Sequence, residues 1–376
     1  MNELFLKDTL FPIIRAGLGI SIESAPESID YPLLIEVAEK QAILPIIREG
    51  LAAMQLQGDG VDAVQNKCLS DICLFAHRDF ALDTIKTCFE KNGIEYVMLK
   101  GSALRDLYPE QWMRTSCDID VLIKEDKLDE AVELLQKETD FKYLKRLYHD
   151  VSMSIPNVRL ELHFNIKEGI ENIDKLLSDA WNYAAAQNGT KQFVFTPEYQ
   201  IFHVIAHMSY HFVRGGLGVR PYLDLWLLRN KTEYDENIVR GMCEECGILK
   251  FYEECCKLSD VWLLNVDHTG VSKALEQYSF EGGVFGSRRN ASMIVLRNNR
   301  GIKYYFARMF VKRESLELMY PTLKKHPVLL PYYQAKRLID VIIHKRDRVQ
   351  EEIKYIKSSN EKEIEGIQEL FDYIGL

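Results

Sequence analysis

The sequence predicts an α+β protein in which a small mixed sheet is flanked by helical regions on its N-terminal and C-terminal sides. Apolar residues recur at helical spacing in residues 1–92. Within residues 93–167, short apolar runs alternate with glycine, proline and asparagine, which is typical of strands and turns. Helical spacing returns in residues 168–376. These three segments are the predicted N-terminal helical region, α/β core and C-terminal helical domain.

Composition limits the class of protein. The 376 residues are enough for two or three domains, and a hydrophobic content of 47% is typical of a globular chain. A formal net charge of -9 argues against a general nucleic-acid-coating role. Charged residues interrupt the apolar residues of segment 1–17, so we expect no signal peptide, no membrane partner and a cytoplasmic location.

The elements follow from the local patterns. Residues 30–56 show helical spacing with a break at Pro45, and residues 61–92 continue as one long helix. The predicted elements of the core are a strand at 94–100, a helix at 102–108, a strand at 118–123, an amphipathic helix at 125–138, and two strands at 141–155 and 158–166. Beyond the core we expect helices only, with a pair at 198–213 and 219–229 and a solvated helix in the last 30 residues.

Two aspartates stand inside an apolar run in the predicted strand 118–123. Residues two apart on a strand share a face, so Asp118 and Asp120 point the same way while Ile119 and Val121 face the core. Two carboxylates this close stay ionised together when a cation lies between them, and Mg²⁺ is the cation that oxygen ligands favour, with Mn²⁺ as an alternative.

Glu161 is a third candidate acid. It lies between Leu160 and Leu162 in the run VRLELHF and shares its face with Arg159 and His163. If this strand lies beside 118–123, three carboxylates converge and could hold two metal ions.

The turn before the first aspartate predicts an anion site. Gly101 and Ser102 follow a strand and open a helix, where backbone N–H groups can meet phosphate. Lys100 and Arg114 are nearby cations that could meet a triphosphate.

Each of these residues has a structural alternative. The two aspartates could form an exposed strand face paired with Arg114 or Lys124. Glu161 could pair with Arg159, and Lys100 could be a solvated lysine at the end of a strand.

Two further groups have competing interpretations. His203, His207 and His211 share one helix face, which favours packing and hydrogen bonds to carboxylates over a metal site. Arg220 and Asp224 are one helical turn apart and are expected to pair, with phosphate contact by Arg220 as the second choice. Four C-terminal cysteines include a CxxC but lie on two helical segments hinged near Gly247, so buried thiols are favoured over zinc; they are Cys243, Cys246, Cys255 and Cys256.

The motifs together resemble the bacterial uncharacterised nucleotidyltransferase family of the DNA polymerase beta-like superfamily. The residues that carry the resemblance are Leu99-Lys100-Gly101, Tyr108-Pro109, Arg114, Asp118-Ile119-Asp120, Glu161-Leu162-His163, His203, His207, Arg220 and Asp224. The resemblance implies in-line transfer of a nucleotidyl group from an NTP such as ATP, with release of pyrophosphate. It implies that Asp118, Asp120 and Glu161 bind metal and act in catalysis, and that Lys100, Gly101, Ser102 and Arg114 contact the nucleotide.

The acceptor is open. The negative net charge favours a small molecule or a protein side chain. Segment 288–313 has eight Lys/Arg residues and no acid, so it could instead draw in a triphosphate or a transfer RNA end, or be a solvated basic face. The competing functions are a non-catalytic nucleotide- and metal-binding regulatory module and a helical interaction scaffold.

Overall fold

A computed structural model describes residues 3–147, 149–283, 286–298, 309–311, 313, 316–317, 320, 322–344, 350, 355 and 361–376. Within these residues it confirms the predicted fold class, because helices precede and follow one mixed seven-stranded sheet. Much of the basic segment 288–313 lies outside the described residues.

The N-terminal helices end where the sequence breaks them. Asp30 caps the helix that follows it by accepting from the Leu33 backbone N–H, and that helix ends at Ala42 in the left-handed conformation. Pro45 lies in the first turn of the next helix, where its missing N–H has no intrahelical partner to lose, which confirms the predicted break. The helices are α1 Glu3–Phe5, a π-helical turn Leu6–Leu10, α2 Phe11–Gly17, α3 Tyr31–Gln41, α4 Leu44–Ala53 and α5 Asp59–Asn92.

The sheet is mixed and has the order β3-β4-β5-β2-β1-β7-β6. Its strands are β1 Tyr96–Met98, β2 Ile119–Ile123, β3 Lys142–Arg146, β4 Asp150–Ile155, β5 Val158–His163, β6 Ala184–Ala186 and β7 Gln192–Phe195. The pairs β2–β5 and β1–β7 are parallel, and the other neighbouring pairs are antiparallel.

Helices connect the strands and continue after them. The connecting elements are α6 Lys100–Leu104, the 3₁₀ turns Arg105–Leu107, Gln111–Met113 and Glu125–Lys127, α7 Leu128–Glu138, α8 Glu171–Ser178 and the 3₁₀ turn Ala180–Tyr183. The described elements after the sheet are α9 Pro197–Phe212, α10 Val219–Lys231, α11 Glu236–Glu245, α12 Leu249–Leu264, α13 Gly270–Gly282, α14 Arg288–Asn298, Thr322–Lys325, the 3₁₀ turn Pro327–Leu329, Leu330–His344 and Glu361–Ile374.

Three expectations about individual elements are wrong. The single strand predicted at 141–155 is two strands, β3 and β4. The chain is not helical throughout after the core, because β6 and β7 extend the sheet beyond β1. The last described helix, 361–374, is not simply solvated, since Phe371 and Ile374 are buried in the main core.

The two faces of the sheet have different partners. One face packs against the C-terminal half of α5 and against α7 in a compact apolar cluster that includes Ile119, Val121, Leu160 and Leu162. Because side chains alternate along a strand, the residues between them point to the opposite face. That opposite face carries the candidate acids.

Candidate active site

Parallel pairing of β2 with β5 places two acids side by side. Asp120 is the pairing partner of Glu161, and Leu122 is that of His163. Residues that pair across neighbouring strands share a face of the sheet, and so do residues two apart on one strand. Asp120, Glu161 and His163 therefore meet on the face opposite to the apolar core.

Asp120 is the centre of a buried charge cluster and is only 3% exposed. Its Oδ1 accepts from Lys100 Nζ at 3.0 Å and lies 2.8 Å from His163 Nε2. Burial acts to raise the pKa of Asp120, but the charges and hydrogen bonds of Lys100 and His163 outweigh it and hold the pKa well below its usual range. Asp120 is therefore ionised at neutral pH.

The three side chains form a set of donors suited to a cation. Ligand atoms of Asp120, Glu161 and His163 lie within 4.8 Å of one another. Burial, followed by the charges of Asp120 and Asp118, raises the pKa of Glu161. The acids thus repel one another, and a divalent cation among them would relieve that repulsion.

Asp118 lies in the bend just before β2, which begins at Ile119 rather than at residue 118. It lines the same cavity as Asp120, and burial together with the charge of Asp120 raises its pKa. Among the described residues, the compact ligand group contains Asp120, Glu161 and His163 without Asp118.

The alternative partner of Glu161 is also present. Arg159 Nε lies 3.1 Å from Glu161 Oε1, while His163 Nε2 lies 3.9 Å from the other carboxylate oxygen. The Arg159 side chain is 44% exposed, so this ion pair contributes little and can be exchanged. Glu161 is therefore available to a cation despite the salt bridge.

The turn after β1 aims Lys100 at Asp120. Lys100 has a φ of +46°, a left-handed conformation that costs a non-glycine residue about 1–3 kcal/mol. The ion pair with Asp120 raises the pKa of Lys100, although burial acts to lower it. Lys100 is thus not a solvated lysine. At Gly101, an added Cβ would lie 2.9 Å from Ser116 Cβ, so the turn packs closely against the segment that leads to Asp118.

A cavity of about 810 Å³ opens beside the acids. Lys100, Asp118 and Asp120 line one side, and residues of α9 and α10 line the other. Its size fits a ligand as large as a nucleotide. The described lining includes neither Ser102 nor Glu161; Ser102 lines a separate small cavity together with Asp71 and Arg105.

Three histidines of α9 line the far wall. His207 Nδ1 lies 2.7 Å from Glu168 Oε1, which confirms the expected hydrogen bond to a carboxylate, and His207 Nε2 lies 3.1 Å from His211 Nε2. The buried Nδ1 of His203 has no hydrogen-bond partner among the described residues. Burial is the main reason why the pKa of each of the three is lowered to about 3. The three imidazoles are therefore uncharged at neutral pH.

Neutral burial of His203 predicts a loss of stability in mild acid. Below pH 6.5 the unfolded chain binds a proton at this imidazole that the folded chain, with a pKa of about 3, does not. From pH 7 to pH 5 we expect His203→Gln to lose about 1–2 kcal/mol less unfolding free energy than the parent protein. Urea unfolding at several pH values measures this difference.

The matched control is His77→Gln, which removes an exposed imidazole from α5. It is expected to follow the parent protein over the same pH range. Equal pH dependence of His203→Gln and the parent protein would contradict the assignment of a neutral buried imidazole.

A second buried ion pair joins α10 to the segment after α6. Asp224 Oδ1 accepts from Arg114 Nε at 2.6 Å and from the Tyr108 hydroxyl at 2.7 Å. The expected partner, Arg220, donates instead to the carbonyl of Thr115 at 3.0 Å. The expected pairing of Arg220 with Asp224 is therefore replaced by a contact between distant parts of the chain.

The four C-terminal cysteines are buried thiols, as predicted. α11 and α12 are separated at Gly247, which has a φ of +73°. Burial raises the pKa of each thiol and keeps it protonated; the four are Cys243, Cys246, Cys255 and Cys256.

The basic segment 288–313 can be followed only in part. Arg289 is described, and it lies 3.3 Å from Glu281 and 3.1 Å from Glu363. These ion pairs agree with the surface interpretation at that position.

Sequence reasoning missed several residues of the cavity wall. Glu168 follows β5 in the run NIKEG, and His149 stacks on His163 with ring centroids 5.5 Å apart. Both line the cavity. For Glu168 the signal in the sequence was its position just after the predicted strand 158–166, where loop residues often contribute to sites. His149 lay inside the strand predicted at 141–155 and carried no such signal.

Comparisons with known proteins agree with this geometry. A family described as uncharacterised nucleotidyltransferase matches residues 27–263, which include the acids, the turn at Lys100, and both α9 and α10. Searches of curated proteins and of solved structures returned no match. Among the described helices, none combines the length and apolar character needed to cross a membrane.

Proposed function

The chain belongs to the uncharacterised nucleotidyltransferase family, and from this premise we propose that it moves an NMP from an NTP to an acceptor hydroxyl or similar group. The observation that carries the proposal is the β2–β5 register, which sets Asp120 beside Glu161 next to a nucleotide-sized cavity. The proposed acceptor is a small molecule or a protein side chain.

The donor set fits a divalent cation. Asp118, Asp120 and Glu161 are the proposed metal and catalytic residues, because carboxylate oxygens suit Mg²⁺ and Mn²⁺; His163 adds a nitrogen donor beside Asp120 and Glu161. Burial, followed by the charges of the neighbouring acids, raises the pKa values of Asp118 and Glu161, and a cation among them would offset the repulsion. When bound, Mg²⁺ would neutralise phosphate charge and lower the pKa of the acceptor hydroxyl.

The remaining proposed residues position the triphosphate. Lys100, Gly101, Ser102 and Arg114 are the proposed nucleotide contacts, with Lys100 adjacent to the acids and Arg114 acting from within its ion pair. The acceptor oxygen forms a bond to the α-phosphorus as the bond to the bridging oxygen breaks, pyrophosphate leaves, and the acceptor proton passes to solvent. Positioning and charge neutralisation supply most of the rate enhancement in such a step.

Incubation with α-labelled NTPs and Mg²⁺, alone and with cell extract, tests the proposal directly. We expect label on the chain itself or on an acceptor in the extract, and release of pyrophosphate. A thermal shift screen with each NTP tests binding separately, because a ligand at 100 times its Kd adds about 2.7 kcal/mol to stability.

The outcomes separate the competing functions. A thermal shift without transfer of label would favour the regulatory nucleotide- and metal-binding module. Label on transfer RNA would identify the acceptor as a nucleic acid. Segment 288–313 would then be the candidate contact for that acceptor. Absence of both a shift and label would overturn nucleotide chemistry and leave the helical scaffold.

A further inference from the structure

The guanidinium of Arg220 lines the cavity and forms no ion pair with a carboxylate in the part of the chain that the structure describes. Its Nη1 donates to the Thr115 carbonyl at 3.0 Å and lies 3.4 Å from the Thr115 hydroxyl. Its Nε is buried and has no hydrogen-bond partner among the described residues. A buried donor on a charged group is costly unless something else satisfies it.

The nearest acid on the same helix is already taken. Asp224 binds Arg114 and Tyr108, and Arg114 Nη1 donates to the same Thr115 carbonyl that accepts from Arg220. Two guanidinium groups thus converge on one carboxylate and one carbonyl. Burial, and then the charge of Arg114, lowers the pKa of Arg220 to about 10, so it is still cationic at neutral pH. One positive charge is left over.

Two more cations line the cavity and have no carboxylate partner within ion-pair distance among the described residues. Arg214 lies over the Tyr210 ring at 3.7 Å and donates only to backbone carbonyls, and Lys167 forms no side-chain ion pair there. In contrast, Lys100 is neutralised by Asp120. The cavity lining therefore combines the acids Asp118 and Asp120 with cations that form no ion pair with a carboxylate among the described residues.

We propose that Arg220 is the main anchor for the polyphosphate of the nucleotide, with Arg214 and Lys167 contributing. This inference rests on the proposed function and deepens it. Besides its proposed contact with the nucleotide, Arg114 then has a positioning role, because its ion pair with Asp224 leaves Arg220 without a carboxylate within ion-pair distance among the described residues. A guanidinium with free N–H groups in a partly buried site matches phosphate oxygens well.

Binding of inorganic tripolyphosphate and of MgATP, measured by calorimetry, tests the assignment. Arg220→Gln is expected to raise the Kd for tripolyphosphate and for MgATP by about tenfold or more, because a charge-assisted contact with phosphate is lost. Arg220→Lys keeps the positive charge but loses the planar set of guanidinium N–H donors. Its Kd values are expected to lie between those of the parent protein and those of Arg220→Gln. The matched control Lys231→Gln makes the same charge change at an exposed position of α10 and should alter Kd by less than about twofold.

The melting temperature of the ligand-free variants distinguishes a structural role of Arg220 from a role in binding, because loss of a structural residue lowers it. Arg220→Gln should melt at or above the parent temperature, because it removes a half-buried charge that has no carboxylate partner within ion-pair distance among the described residues. A lower melting temperature with unchanged Kd would overturn the inference and leave the proposed function standing. Loss of polyphosphate affinity in a protein that transfers no nucleotide to any acceptor would support the inference and overturn the function. If the parent protein bound neither probe, both would be wrong.

Discussion

Asp118→Asn is expected to abolish nucleotidyl transfer and to stabilise the ligand-free protein, whereas Asp120→Asn is expected to abolish transfer and to destabilise it. The raised pKa of Asp118 means that its ionised form is unfavourable in the fold, so removing the charge should add up to about 1 kcal/mol. Asp120 instead neutralises Lys100 and binds His163. Its loss leaves a partly buried cation unpaired, at a cost of about 2–3 kcal/mol.

Urea unfolding in the presence of a chelator measures the two stabilities, and incorporation of α-label measures transfer. Asp126→Asn, which removes an exposed acid from the turn after β2, is the control and should leave both quantities unchanged. If Asp118→Asn and Asp120→Asn changed the stability in the same direction, the inference that the two carboxylates have opposite charge environments would be wrong. Full activity of Asp118→Asn would remove that residue from the metal site.

The fold was predictable where a pattern is local and long. The 34-residue helix α5 and the pair α9 and α10 repeat apolar residues over several turns, so their spacing alone identifies them. β6 is the tripeptide Ala184–Ala186, and alanine favours helices. It is a strand because β7 pairs with the edge of β1 and β6 pairs with β7. Such long-range pairing overrides local propensity and leaves no pattern in the sequence.

The candidate site also has features that local patterns predict and contacts that depend on long-range pairing. Alternation along a strand predicts that Asp120 points away from the core, and likewise Glu161, but only the parallel register makes the two neighbours. The ion pair of Lys100 with Asp120 depends on the positive φ of Lys100, and no residue type in this turn predicts that conformation. Arg114 and Asp224 are 110 residues apart, so their contact replaces the local i, i+4 pair that spacing favours for Arg220.

Asp224→Asn is expected to destabilise the protein by about 3–5 kcal/mol, the second large effect. Asp224 is 4% exposed, and it is the acid that faces the guanidinium groups of both Arg114 and Arg220. Without it the buried guanidinium of Arg114 and the half-buried guanidinium of Arg220 lie close together and share only a carbonyl, which is the costly case of a broken buried ion pair. Tyr108→Phe removes a single hydrogen bond to the same carboxylate and should cost about 1 kcal/mol.

The double variant Arg114→Gln with Asp224→Asn separates charge from packing. Because it removes both members of the pair, it should recover a large part of the stability lost by Asp224→Asn alone, and a double-mutant cycle from urea unfolding measures the coupling. Additive losses would mean that Asp224 acts by packing α10 rather than by neutralising Arg114. Strong coupling would instead explain why Arg220, one turn away on the same helix, keeps an unneutralised charge: the available carboxylate is held by an arginine from another part of the chain.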